Sequence, residues 1–240
     1  MEAIHPHHPS QVSREARNLA IILDGNARWA EQRGLPVAEG HRAGTRAVRR
    51  TVEAAIDLGV RSLALYAFST ENWTRPAGEV EDLMEIFGET IDRELPDLAR
   101  EGVRTRFIGR RDRAPDQLRD KMDRLEGETA ANDRLQLWIA FDYGGRGEII
   151  DAVRGVLASG ARPGTLDEEL FRSYLYAPEM PDPDLVIRTS GELRMSNFLL
   201  WQSAYAELVF VDTLWPDFGE EHLRSALEEF ARRRRRFGGR

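Results

Sequence analysis

The chain has 240 residues, 41% of them hydrophobic, which is enough for one substantial core and makes a single α/β domain the expected organisation. A net charge of -7 argues against general nucleic-acid binding, and the absence of cysteine excludes disulfides and thiolate metal sites. The positive charge is nearly all arginine, so any basic function must be local and suited to bidentate contacts with phosphate or carboxylate. The N-terminus lacks the apolar core of a signal peptide and no run approaches a membrane span. A cytoplasmic location is the simplest expectation, with any lipid met from the membrane surface.

Residues 1–17 are polar and are expected to form a flexible lead-in to a domain over 18–240. His5, His7 and His8 are a conceivable metal cluster, but a tail reading fits them better. Strand-like runs follow at 19–23, 62–68, 103–108, 135–141, 184–188 and 207–211, and helical patterns at 41–58, 79–100, 114–131, 146–159, 167–176 and 219–236. This alternation predicts an α/β fold with one mostly parallel six-stranded sheet flanked by helices on both faces.

The first run, Leu19 to Leu23, ends in Asp24-Gly25-Asn26-Ala27-Arg28-Trp29. An open α/β sheet places its ligands outside the carboxyl ends of its strands, so Asp24 stands where a hard cation can be held. Gly25 and Asn26 allow a close backbone approach to phosphate, and Arg28 adds a charged fork; an ordinary capped turn is the plain alternative. Gly40-His41-Arg42-Ala43-Gly44 falls at an expected helix start, a favourable place for an anion. Phe68-Ser69-Thr70-Glu71-Asn72-Trp73-Thr74-Arg75-Pro76 sets hydroxyls, an amide and an arginine after the second strand.

Leu83, Met84, Ile86, Phe87, Ile91 and Leu95 give the next helix a wide apolar face. Core packing accounts for this face, and so does one wall of an elongated apolar pocket opposite Leu65, Ala67, Leu135, Leu137 and Ile139. The segment Ile187 to Asn197 brings Arg188 and Arg194, with Thr189, Ser190 and Ser196 around Gly191, into one loop suited to a highly charged oxyanion; a surface loop paired to nearby acids is an equal alternative. Glu207 immediately precedes an apolar strand and would form a cation site with Asp24 if the fold brought the two together.

Taken in order, the Asp24–Trp29, Gly40-His41 and Phe68–Pro76 segments, Tyr143-Gly144-Gly145-Arg146, Asp184–Glu192 and Glu207 resemble the cis-prenyltransferases of the undecaprenyl diphosphate synthase type. The likeness runs from about Leu19 to Gly239. It implies a fold of that type, not a Rossmann fold, with a hydrophobic tunnel for the growing chain. It also implies condensation of isopentenyl diphosphate onto an allylic diphosphate such as farnesyl diphosphate, with new double bonds in the Z configuration and Mg²⁺ as cofactor.

By the same resemblance, Asp24 is the catalytic aspartate that engages metal and diphosphate. Gly25, Asn26, Ala27, Arg28 and His41 surround the allylic diphosphate, and Trp29 and Trp73 are substrate-site aromatics. Ser69, Thr70, Glu71, Asn72 and Arg75 belong to the loop for substrate positioning and proton removal. Arg188, Arg194 and Ser196 match the isopentenyl diphosphate pocket, Met195 between them counts as substrate-binding, and Glu207 matches a metal-binding acid. Asn72 counts as catalytic, but a neutral amide is too weak a base to hold a proton; it positions or polarises the true acceptor, a diphosphate oxygen or a relayed water.

The chain departs from the family pattern at Leu23, Ala27, Val37 and Leu193, and the last two receive no functional role. Arg236-Phe237-Gly238 resembles a tail motif that reaches the neighbouring subunit's site, which implies a homodimer. The basic run Arg232 to Arg236 also suits a helix end or peripheral membrane contact. The expected product is a long-chain polyprenyl diphosphate, undecaprenyl for the cell-wall carrier lipid, since Ala67 is small and Leu135 resembles a tunnel-floor residue. Medium- or short-chain synthesis is the alternative, and a non-catalytic partner subunit is disfavoured because Asp24, Arg28, Arg188, Arg194 and Glu207 are all present.

Overall fold

The six apolar runs become β1 (Asn18–Ile22), β2 (Ser62–Tyr66), β3 (Val103–Ile108), β4 (Leu135–Ala140), β5 (Leu185–Arg188) and β6 (Glu207–Phe210) in a computed structural model that describes residues 15–233. His5, His7, His8 and the Arg236-Phe237-Gly238 motif lie outside the described residues. The strands form one sheet in the order β3-β4-β2-β1-β5-β6, and every pairing is parallel. Alternation divides the side chains between two cores. Leu19, Ile21, Leu63, Leu65, Leu137, Leu185 and Ile187 face one side, and Ala20, Ile22, Ala64, Tyr66, Trp138 and Val186 face the other. Strands covered on both faces need no polar positions, which is why Leu19–Ile22, Leu63–Leu65 and Leu185–Ile187 at the centre are unbroken, while the edge strand β3 carries Arg104, Thr105 and Arg106.

The helices are α1 (Asn26–Glu31), α2 (Val37–Asp57), α3 (Ala77–Arg100), α4 (Asp116–Thr129), α5 (Gly145–Ala158), α6 (Glu168–Arg172) and α7 (Glu220–Arg232). The short α1 replaces the anion-binding loop expected after Asp24. Gly25 turns the chain at φ 113°, and Trp29 N–H then donates to Gly25 C=O at 2.9 Å to close the first turn. Pro36 stands immediately before α2 with φ already near the helical value, so the helix begins ahead of the expected residue 41. Gly40 and Gly44 therefore lie inside the helix. A Cβ on Gly40 would come within 2.1 Å of the Asn26 carbonyl oxygen, and one on Gly44 within 2.5 Å of Asn26 Oδ1. These glycines let α1 cross α2 at backbone contact distance.

Residues ahead of 18 also belong to the packed domain. Ala16 is buried in the core, and the backbone N–H groups of Arg17 and Asn18 both donate to the Asp184 carboxylate at 3.0 Å.

Candidate active site

The sheet order creates a switch point between β1 and β5. From β1 the chain proceeds to β2 on one side, whereas from β5 it proceeds to β6 on the other, so a crevice opens at their carboxyl ends. Asp24 follows β1 and Arg188 ends β5, and the two meet there: Arg188 Nη2 donates to Asp24 Oδ2 at 2.8 Å. Arg188 is 4% exposed, and its Nη1 also donates to the Arg194 carbonyl at 2.6 Å and to Ser196 Oγ at 2.5 Å. Thr189 stitches the strand ends, accepting from Asp24 N–H at 2.9 Å and donating to Asp24 C=O at 2.7 Å.

Arg28 approaches Asp24 from α1. Its Nη2 lies 3.4 Å from Asp24 Oδ1 and donates to Ser190 Oγ at 2.6 Å. Burial alone would raise the Asp24 pKa, but hydrogen bonds from Arg188 and Ser190 and the charges of Arg188 and Arg28 outweigh it, holding the carboxyl below its usual 3.8. Asp24 is an anion throughout the neutral range.

This cluster opens into a polar cavity of about 490 Å³ lined by Asp24, Asn26, His41, Ser69, Glu71, Asn72, Arg75, Arg188, Arg194, Ser196 and Asn197. Burial and the neighbouring Arg75 charge lower the His41 pKa despite Glu79 and Asp82, so the imidazole is neutral at pH 7. Its buried Nε2 has no hydrogen-bond partner and lies 3.7 Å from Glu79 Oε1, which instead accepts from Arg75 at 2.8 Å. Asn72 Oδ1 accepts from Ser69 N–H at 2.9 Å, which fixes the 70–74 turn and leaves the amide NH₂ as the group able to serve a ligand. Burial acts to raise the Glu71 pKa, yet hydrogen bonds led by that from Asn197 lower it overall.

A second, narrow cavity of about 150 Å³ runs between α2 and α3 over the sheet. Val48, Val52, Leu83, Ile86, Phe87, Ile91, Leu98, Leu65, Ala67, Leu137 and Ile139 make its wall apolar. Leu23, Asn26, His41, Ala67 and Leu83 line both cavities, so the polar chamber passes directly into the apolar slot. Leu135, expected at the floor, is a fully buried core residue and does not line the slot.

Several expected site residues stand behind the cavity or away from it. Gly25 makes the turn into α1 and Ala27 lies on that helix, as does Arg28, which is not part of the cavity wall but reaches it through Asp24. Trp29 points its indole N–H at Asp217 at 2.7 Å, beneath the Arg33 guanidinium. Thr70 donates to Glu71 at 3.1 Å. Trp73 packs edge-on to Phe68 with the Arg113 guanidinium 4.9 Å over its ring, and Met195 packs against the second core. Asn197, quoted in the loop motif without a role, is a cavity residue; its signal in sequence is an asparagine able to adopt a positive φ, here 65°.

Glu207 does not join Asp24 within the chain. It pairs with Leu185, which pairs with Leu19, at the amino end of the sheet, whereas Asp24 lies beyond the carboxyl end of β1. Glu207 instead binds Arg233 at 3.1 Å. Among the described residues no group of three or more acidic or histidine side chains forms a metal cluster. The anionic carboxylate of Asp24 at the polar cavity nevertheless fits Mg²⁺, which keeps several waters and takes its remaining oxygens from substrate phosphate.

An arginine-rich oxyanion chamber continuous with an apolar slot defines an enzyme for a diphosphate carrying a hydrocarbon tail. Residues 22–238 match the family described as "Putative undecaprenyl diphosphate synthase". The chain is 51% identical to the isoprenyl transferase of Thermotoga maritima, covering 94% of this chain and 98% of that protein. It is 50% identical to a (2E,6E)-farnesyl-diphosphate-specific ditrans,polycis-undecaprenyl-diphosphate synthase of Xanthomonas axonopodis pv. citri, with 96% and 91% covered. Lavandulyl diphosphate synthase of Lavandula x intermedia, solved with dimethylallyl diphosphate, superposes at TM-score 0.90 and 36% identity over 93% of this chain and 98% of that one. The chain belongs to the undecaprenyl diphosphate synthase family of cis-prenyltransferases and is an isoprenyl transferase, a Z-prenyl diphosphate synthase.

Proposed function

We propose that the protein adds isopentenyl diphosphate repeatedly to farnesyl diphosphate and makes undecaprenyl diphosphate, the precursor of a cell-wall carrier lipid. The observation that carries this reading is the continuity of the Asp24–Arg188 chamber with the apolar slot between α2 and α3. The farnesyl specificity and undecaprenyl product named for the Xanthomonas relative support the choice of starter and product.

In each addition the allylic C–O bond breaks, diphosphate leaves, a C–C bond forms and a proton departs from the isopentenyl unit. Arg28, His41 and the backbone around Asn26 bind the allylic diphosphate, while Arg188, Arg194 and Ser196 bind isopentenyl diphosphate. Asp24 would hold Mg²⁺, whose charge would help neutralise the leaving diphosphate. Asn72 orients substrate through its NH₂ group, since its carbonyl oxygen is already committed to Ser69 N–H. The proton goes to a diphosphate oxygen or a relayed water.

We place the enzyme in the cytoplasm as a homodimer with surface contact to a membrane. On α5, Ile150 (51% exposed), Val153 (40%) and Leu157 (71%) form an apolar stripe that supports self-association. Among the described residues no helix is long and apolar enough to cross a membrane. The narrow slot favours a second reading, a medium- or short-chain product. Incubation with labelled isopentenyl diphosphate and farnesyl diphosphate, with Mg²⁺ or with a chelator, distinguishes these outcomes by chain length. Undecaprenyl product that requires Mg²⁺ is expected; a ladder ending several units earlier supports the second reading, and no product refutes both.

A further inference from the structure

Two loops that reach the chamber from opposite sides of β1 must hold their ligands in register. The 69–75 loop follows β2, and the 188–197 loop begins at the end of β5. Asn197 joins them: its Nδ2 donates to Glu71 Oε1 at 2.9 Å. Its Oδ1 accepts from Arg146 N–H at 2.8 Å, and its backbone carbonyl accepts from Gly145 N–H at 2.7 Å. One side chain and its own peptide therefore tie the 69–75 loop, the start of α5 and the 188–197 loop together.

The space for this junction is tight. A Cβ on Gly144 would come within 2.7 Å of Thr70 Oγ1 and 2.8 Å of Asn197 Nδ2. Ser196 and Asn197 have φ values of 46° and 65°, which non-glycine residues seldom adopt and which persist where the surroundings fix them. The other Glu71 oxygen accepts from Thr70 Oγ1 at 3.1 Å, so the carboxylate is held at both ends.

We propose that Asn197 is a positioning residue that sets the distance between the two substrates, acting through Glu71 and the Gly145-Arg146 backbone. The proposal rests on the prenyl-transfer reading of the site. Reacting carbons must lie about 3–3.5 Å apart, and displacement by about 1 Å costs up to about a hundredfold in rate. A slipped loop can still hold its own diphosphate, so the loss falls on kcat and not on the KM of either substrate.

The polarity of the bond supplies the test. Asn197→Asp keeps the acceptor for Arg146 N–H but sets two carboxylates face to face. Glu71→Gln keeps an acceptor for Asn197. The double variant restores every bond in reverse: the new amide NH₂ donates to the new carboxylate, and its carbonyl still accepts from Thr70.

Steady-state kinetics with isopentenyl and farnesyl diphosphates are expected to show kcat lowered about ten- to a hundredfold in Asn197→Asp. Both KM values should change little, Glu71→Gln should be mild, and the double variant should regain most of the lost kcat. Glu71→Ala removes the same bond from its exposed end and is expected to match the Asn197→Asp loss, so a folding defect in one variant leaves the other decisive. A double variant no faster than Asn197→Asp, or Glu71→Gln as slow as it, overturns the proposal by making the Glu71 charge itself the requirement. Failure of the wild-type protein to form product refutes the prenyl-transfer reading instead.

Discussion

The polar chamber and the apolar slot share five residues yet are held by different forces. In the chamber, Arg188 is almost wholly buried and bonds Asp24, the Arg194 carbonyl and Ser196, so it cannot move without breaking all three and leaving a buried charge short of partners. Across the slot, the rims of α2 and α3 meet through exposed or half-buried pairs: Arg42 with Glu89 at 2.7 Å, Arg49 with Asp97 at 2.6 Å, and Arg93 with Thr45 at 3.0 Å. Pairs of that kind contribute little each and re-form easily. The contrast assigns fixed geometry to bond making and adaptable volume to the growing chain.

The largest expected effect breaks the chamber. Asp24→Ala removes the carboxylate opposite two arginines and should lower kcat by about 10²–10³, read as initial rate at saturating substrates. Next is the helix crossing that places α1 under the chamber. Gly40→Ala forces a methyl group against the Asn26 carbonyl and should cost about 1–3 kcal/mol in denaturant unfolding. Gly78→Ala, in α3 with nothing within 4 Å of its added methyl, should be neutral or stabilising by up to about 1 kcal/mol.

His41 sits where chamber and slot meet, and its depressed pKa links stability to pH. The unfolded chain takes the proton first, so stability is complete above the ordinary value of 6.5 and falls as pH drops from there toward the folded-state pKa. The slope this one group adds is at most about 1.4 kcal/mol per pH unit, and His41→Gln should flatten the unfolding free energy measured between pH 7 and 5 by that part. Smallest is the slot rim. Arg42→Ala should cost about 0–1 kcal/mol in thermal unfolding, with less effect in high salt.

Much of this division is legible in the sequence. Strand-like runs alternating with helical patterns specify the sheet, and Asp24 and Arg188 each sit at the carboxyl end of an apolar run, where a parallel sheet gathers them. The same reasoning, carried one step further, separates Glu207 from Asp24. Glu207 precedes its strand and Asp24 follows one, and parallel strands put those places at opposite ends of the sheet. The α1 helix is not legible because its six residues are too few for a periodic signal, and they follow a Gly-Asn pair that usually marks a turn. Gly40 and Gly44 look like a helix start until the crossing of α1 is known. Asn197 depends on three segments meeting, and no spacing along the chain reports that.

The most direct measurement of the central claim is the rate of the first condensation and the final chain length in the same reaction for Ala67→Leu. Ala67 stands where the chamber passes into the slot and makes none of the bonds of the Asp24–Arg188 pair, so leucine there narrows the slot's mouth and leaves that pair's own bonds in place. A first addition within about twofold of wild type, followed by products several isoprene units shorter, is the predicted result. Unchanged chain length, or a first addition slowed as severely as in Asp24→Ala, would contradict the separation of chemistry from chain accommodation.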